Sequence, residues 1–180
     1  MLKITKDNVP SLRGKCKDVI LPLTEKDKNT LNEMLEYLKL SQDPTFKSKH
    51  PTVREGVGLA APQIGVNKKM LVVYYPIEDG YIEYQLVNPI IKSSSLKLCF
   101  LSGGEGCLSV DKPHKGKVYR PYKIKVEAYS LKENKVITID ARGYDAIVLQ
   151  HEIDHLHGIL FYDHIDEKDP FKVIPGAIEI

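Results

Sequence analysis

The residues with the clearest chemical content are His151-Glu152-Ile153-Asp154-His155. In a helix, positions i and i+4 share a face, so His151 and His155 can present both imidazoles to one cation. Glu152 lies one residue further round, within reach of a water held by that cation. An exposed helix with two incidental histidines has the same spacing, but the apolar residues around this one argue for burial. Two histidines are not enough, since a catalytic metal usually has three protein ligands and one open position. The metalloprotease extension of the motif puts a third His at 161, and the chain has Phe161 there, although Gly158 fits that extension. Downstream glutamates offer little: Glu167 lies in a stretch containing Pro170, and only Glu179 follows it.

Upstream, Cys107 stands in Glu105-Gly106-Cys107-Leu108-Ser109, just after Gly103-Gly104. Such a backbone can bring a thiolate close to a helix across the core, and a Cys/His/His set leaves one place open on a tetrahedral Zn²⁺ or Fe²⁺. A free cysteine is more often a small buried hydrophobe, which is the reading for Cys16 and Cys99. A third constellation is Gly56-Val57-Gly58-Leu59-Ala60-Ala61-Pro62-Gln63. Its small residues permit close backbone approach, and a buried Gln can donate its amide to an oxyanion. Taken singly, this segment reads as a tight glycine turn with Gln63 facing solvent.

Together, Gly-Val-Gly-Leu-Ala-Ala-Pro-Gln at 56–63, Glu-Gly-Cys-Leu-Ser at 105–109 and Gln-His-Glu-Ile-Asp-His-Leu-His-Gly at 150–158 resemble the three motifs of the peptide deformylases, complete and in order. The N-terminal helix, the polar loop before Gly56 and the ending Ala177-Ile178-Glu179-Ile180 resemble the type 2 branch found in Gram-positive bacteria. The resemblance implies removal of the formyl group from the formyl-methionine end of newly made polypeptides, releasing formate. It implies one divalent metal on Cys107, His151 and His155, with Fe²⁺ as the native ion and Zn²⁺, Ni²⁺ or Co²⁺ able to replace it. Glu152 then serves as acid and base, while the Gln63 amide and the Leu108 backbone N–H meet the oxyanion. Val57, Gly58, Tyr144, Ile147 and Val148 line the methionine pocket. The rival enzyme reading is a zinc endopeptidase of the HExxH kind. Function suggests transient ribosome contact, but no basic C-terminal helix is present to carry it.

These groups need elements to position them. A helix is predicted over Thr24 to Leu40, with Thr24 as N-cap, Glu25 and Asp27 in its first turn, and Leu31, Met34, Leu35 and Leu38 on one face. Ser41 to Glu55, polar and holding two prolines, reads as a loop. Strands are predicted over Lys69–Tyr75, Tyr81–Ile91, Tyr122–Tyr129 and Val136–Ala141, with an Asp79-Gly80 turn before the second and a Lys132–Lys135 turn within the last pair. The metal helix should run from about Tyr144 to His157, with Asp145 in its first turn and Gly158 ending it. Strands packed around a central helix make the class α+β. Asp154, on a largely apolar helix, needs a cation if it is buried, and Arg120 is the best placed to clamp it. Glu105 can share that arginine. His50, His114, His157 and His164 read as surface or structural histidines.

Composition bounds the rest. A chain of 180 residues suits one catalytic domain spanning 1–180, given domains of about 100–200 residues. The balance of 42% hydrophobic and 28% charged residues is an ordinary globular one. The net charge of +2, with cations scattered along the sequence, argues against nucleic-acid binding. The longest apolar run, Met70 to Tyr75, falls short of the roughly 18 residues a membrane span needs, and the N-terminus has no apolar signal-peptide region. Three cysteines suit a reducing compartment. The expectation is a cytoplasmic, monomeric enzyme.

Overall fold

A computed structural model describes residues 2–180. The first helix, α1 (Glu25–Gln42), begins where expected, with Thr24 Oγ1 accepting from the Asp27 N–H at 3.2 Å. The following stretch is not wholly a loop, because Pro44–Lys49 forms a second helix, α2. Asp43 caps it by accepting from the Phe46 N–H at 2.6 Å, and Pro44 occupies the first turn, where a missing N–H costs nothing. The proline taken as a breaker is a starter.

The strands follow as β1 (Gly58–Ala60), β2 (Met70–Ile77), β3 (Gly80–Ser94), β4 (Leu98–Phe100), β5 (Arg120–Pro121), β6 (Lys123–Ser130), β7 (Lys135–Arg142) and, near the C-terminus, β8 (Ile178–Glu179). Five form an antiparallel sheet in the order β1-β2-β3-β6-β7. A smaller sheet has the order β5-β4-β8, with β8 parallel to β4. Helix α3 (Tyr144–Leu156) carries the histidines.

The apolar run in β2 has a physical reason. Leu71, Val73 and Tyr75 pack in one core cluster with Ala146, Leu149, Ile153 and Leu156 of α3. Met70 and Val72 pack in another with Leu31, Met34, Leu35 and Leu38 of α1. A strand covered on both faces is apolar throughout, so it does not alternate. On β6, Ile124, Val126 and Ala128 are buried while Lys123 and Lys125 face solvent.

An N-terminal strap ties the pieces together. The Thr5 N–H donates to the Gln63 carbonyl at 2.7 Å, Asp7 to Ser109 at 3.0 Å and Cys16 to Leu156 at 2.9 Å. The strap crosses the end of α3 at Gly158, whose φ of +75° and contact with Arg13 admit no side chain: a Cβ there would lie 2.3 Å from the Arg13 carbonyl oxygen. At the other end of α3, Asp145 accepts from the hydroxyls of Tyr75 (3.0 Å) and Tyr84 (3.2 Å). The helix is thus pinned at both ends, which fixes the direction of its side chains. Among the described residues no helix is long and apolar enough to cross a membrane.

Candidate metal centre and active-site cleft

One turn apart on α3, His151 and His155 face the loop after β4, and Cys107 completes the group. The candidate ligand atoms of the three residues lie within 4.8 Å of one another, with Cys107 Sγ 3.3 Å from His155 Nε2. His151 Nδ1 donates to Glu105 Oε2 at 2.8 Å, which leaves Nε2 as the nitrogen free to ligate. The Ser109 N–H (3.4 Å) and the Gln63 amide (3.5 Å) both point at the sulfur.

Several features test whether a cation belongs here. Burial works against a charged His151, but the Cys107 sulfur and the Glu105 carboxylate outweigh it and hold this imidazole well above the usual histidine range. The cluster therefore draws positive charge. Burial, reinforced by His151, pushes His155 well below that range, so it is a neutral imidazole suited to ligation. One oxygen of Glu152, Oε2, is buried without any hydrogen-bond partner. Soft sulfur and two imidazoles are donors for Zn²⁺ or Fe²⁺, and three of them leave a place open. The residues fit a divalent transition metal.

Burial, with Glu105 adding to it and His151 opposing, pushes Glu152 up to about 7. Its position depends on Gly58 in β1, where a Cβ would stand 2.3 Å from Glu152 Oε1. Gln63 does not face solvent: it is 1% exposed. Its Oε1 accepts from the Ala60 N–H at 2.8 Å, and its Nε2 donates to Ser109 Oγ at 3.1 Å. The short 3-10 turn Ala61–Ile64 swings it inward, so the glycine-turn reading of this segment fails.

A cleft of about 230 Å³ leads to these groups. Val57, Gly58, Leu108, Ile147 and Val148 line it, and Tyr144 stands at its edge, 37% exposed and edge-on to Tyr75 at 5.2 Å. All five residues expected at the methionine pocket therefore share one wall system with Gln63, Cys107, His151 and Glu152.

Behind the candidate ligands runs a chain of charges. Arg120, 3% exposed, donates from Nε to Glu105 Oε1 (2.6 Å), from Nη2 to Glu105 Oε2 (3.0 Å) and from Nη1 to Asp154 Oδ2 (2.8 Å). The expected Arg120–Asp154 pair is present, and Glu105 shares the arginine. Sequence reasoning missed that Glu105 also orients His151, that His164 reaches Asp154 at 2.7 Å, and that Ser109 holds Gln63. A carboxylate two residues from a ligand cysteine was the available signal for Glu105; His164 had none. Phe161 is buried against Cys107, Val110 and Val118 and stacks on His151 with centroids 6.0 Å apart. It fills the position the metalloprotease pattern would give to a third histidine. Cys16 and Cys99 are buried elsewhere, and burial pushes both thiols up.

Comparison with known proteins agrees with this geometry. The family model described as polypeptide deformylase matches residues 1–171. Peptide deformylase 2 of Geobacillus stearothermophilus is 47% identical over 181 residues, covering 100% of this chain and 97% of that protein. Peptide deformylase 2 of Bacillus subtilis is 45% identical over 181 residues, with coverage of 100% and 97%. Among solved structures, the peptide deformylase of Thermus thermophilus superposes with a TM-score of 0.75 at 32% identity, covering 94% of this chain and 89% of that one. A probable peptide deformylase from Synechococcus phage S-SSM7 gives 0.74 at 37% identity, covering 91% and 99%. With three ligand atoms, an unpartnered carboxylate and an apolar-walled cleft in one place, and relatives of this kind along its whole length, the chain belongs to the polypeptide deformylase family.

Proposed function

We infer that this chain is a peptide deformylase: it hydrolyses the formamide at the N-terminal formyl-methionine of newly made polypeptides, releasing formate and a free amino terminus. The observation that carries the reading is the convergence of Cys107, His151 and His155 beside the unpartnered Glu152 carboxylate. Cys107, His151 and His155 would hold the metal, which supplies Lewis acidity and a more acidic water when bound. Val57, Ile147, Val148 and Tyr144 take the methionine side chain, and Gly58 leaves room for Glu152. Glu152 removes a proton from the attacking water and returns it to the leaving amine. The Gln63 amide and the Leu108 backbone N–H donate to the formyl oxygen as it gains charge; losing one such donor typically costs about 10²–10³ in kcat. Glu105, Arg120 and Asp154 are positioning residues behind the ligands.

The native ion in this reading is Fe²⁺, with Zn²⁺, Ni²⁺ or Co²⁺ as substitutes, and the enzyme is a cytoplasmic monomer whose catalytic domain spans 1–180. The endopeptidase alternative is not favoured, because Phe161 occupies the place of its third ligand. The deciding experiment is anaerobic purification, metal analysis and a formate-release assay on one sample. Formate from a formyl-Met tripeptide, without cleavage of an unblocked peptide, is the expected result. Internal peptide-bond cleavage without formate would overturn the reading. Glu152→Gln should keep its metal and lose nearly all turnover; at least a third of the original activity with full metal content would remove Glu152 from its role.

A further inference from the structure

Lys112, Lys115 and Lys117 stand close together in one short segment, and the fold lays that segment along a cleft. This second cleft, about 450 Å³, adjoins the first. The two share Arg54, Leu101, Glu105, Gly106 and Cys107, so they meet along a common wall. The outer wall of the second is the segment 111–117, which brings Lys112, His114, Lys115 and Lys117 to it. That wall is anchored. The Lys117 N–H donates to the Pro170 carbonyl at 2.8 Å, and Gly116 packs so closely that a Cβ would stand 2.4 Å from Ile165 Cγ2. His114 stacks on Tyr162 with centroids 4.1 Å apart.

The carboxylates nearby are already paired. Asp111 meets Lys6 (2.7 Å) and Arg54 (3.4 Å). Glu105 is held by Arg120 and His151, and Glu55, on the rim of the first cleft, meets Lys47 at 2.7 Å. Lys112 and Lys115 are exposed. Lys117 lies 4.6 Å from the centroid of the Phe100 ring. None of these three lysines forms an ion pair among the described residues. The groove is therefore cationic, and it starts at the metal-binding cysteine.

We propose that this groove receives the polypeptide following the formyl-methionine and favours acidic side chains there, with Lys112, Lys115 and Lys117 as the specificity-determining residues. The inference rests on the deformylase reading: once the first residue fills the metal cleft, the rest of the chain must leave it, and this groove lies directly beside it. An extended chain advances about 3.3 Å per residue, so the positions read are those a few residues beyond the methionine. Nucleic acid is also anionic. A strand lying in this groove would run into Cys107 and Glu105, however, and the chain's net charge of +2 is small for an RNA-binding surface.

Matched formyl-Met tetrapeptides with Glu, Gln or Lys at the third and fourth positions test the proposal by kcat/KM. The expected result is a preference of about fivefold or more for Glu over Lys at low ionic strength, carried mainly by KM and shrinking at high salt as exposed charges are screened. In Lys112→Gln/Lys115→Gln the Glu-to-Lys ratio should fall below about twofold, while Lys112→Arg/Lys115→Arg keeps it. Circular dichroism and thermal melting check that both variants fold. Equal kcat/KM for the three peptides, or a ratio untouched by the Gln pair, would overturn the proposal. Equal peptides together with inhibition of all three by poly(U) would assign the groove to nucleic acid instead. Failure to release formate from any of the peptides would overturn the deformylase reading itself, and this inference with it.

Discussion

Glu105 and His151 are joined by a 2.8 Å hydrogen bond from Nδ1 to Oε2, and the same carboxylate is gripped through both oxygens by Arg120. One acidic side chain thus connects His151 on α3 with β5 and, through Arg120, with Asp154 further along the same helix. Glu105, Arg120 and Asp154 form a clamp across the back of the candidate metal site.

Opening that clamp should cost both stability and metal. Removing one partner of a buried ion pair typically destabilises by about 3–5 kcal/mol, and groups that orient a ligand are typically worth about 10–100-fold in metal affinity. Arg120→Ala and Asp154→Ala should each lower the melting temperature and the affinity measured by chelator competition. The double variant should cost less than the sum of the singles. Strict additivity in that cycle would mean the two side chains do not act as a unit.

Gly58→Ala tests how tightly β1 and α3 approach each other. The added methyl would need the space now held by the Glu152 carboxylate, so the carboxylate must move. Formate release should fall by at least about tenfold, since displacing a catalytic group by about 1 Å can cost 10²-fold, while metal content stays close to normal. Full activity in this variant would show that the approach is not needed.

Cysteine replacement separates ligand from filler. Cys107→Ser should lose most of its bound metal after dialysis, because a hydroxyl is a poorer soft donor than a thiolate. Cys16→Ser and Cys99→Ser should retain metal and show only lowered stability. Equal metal occupancy in all three, read by elemental analysis, would remove Cys107 from the ligand set.

Acid should loosen the start of α1. Asp27, with its side chain 4% exposed, accepts from Lys68 and from Thr24. Burial pushes its carboxyl up, but these two partners outweigh it and hold it below the ordinary 3.8. A carboxyl depressed in the folded state stabilises fully above its unfolded value and loses that contribution as pH falls through the folded one. The melting-temperature gap between the parent and Asp27→Asn should therefore be widest near neutrality and close below about pH 4. A gap that stays constant from neutrality to pH 3 would show that the pair contributes nothing through ionisation.

The long elements were readable because their signals are local. Thr24 capping α1, the alternation in β6 and the ending of α3 before Gly158 each depend on a few neighbouring residues. The approach of His151 and His155 was readable for the same reason, since helical spacing alone brings the two together. Cys107 needed the motifs as a set. Short pieces escaped: β1, β4 and β8 are two or three residues long, and they exist because partners distant in sequence supply their hydrogen bonds. The burial of Gln63 and the hold of Glu105 on His151 likewise depend on contacts 40 or more residues away. Lys112, Lys115 and Lys117 form a cluster visible in the sequence, but that their segment walls a cleft beside the candidate metal site depends on which loops become neighbours.

The strap running from Thr5 to Cys16 carries a consequence for how the protein folds. Its hydrogen bonds join Thr5 to Gln63, Asp7 to Ser109 and Cys16 to Leu156, so these residues wait for partners that follow much later in the chain. A chain emerging from the synthesis machinery can form α1 and the β2–β3 hairpin early, but the strap stays unanchored at α3 until Leu156 is free. Contacts spanning so much of a chain slow folding, because loop closure must precede the reward. Docking of the strap is thus a late event in folding, and refolding from denaturant should show the strap's amide protons gaining protection later than those of β2 and β3.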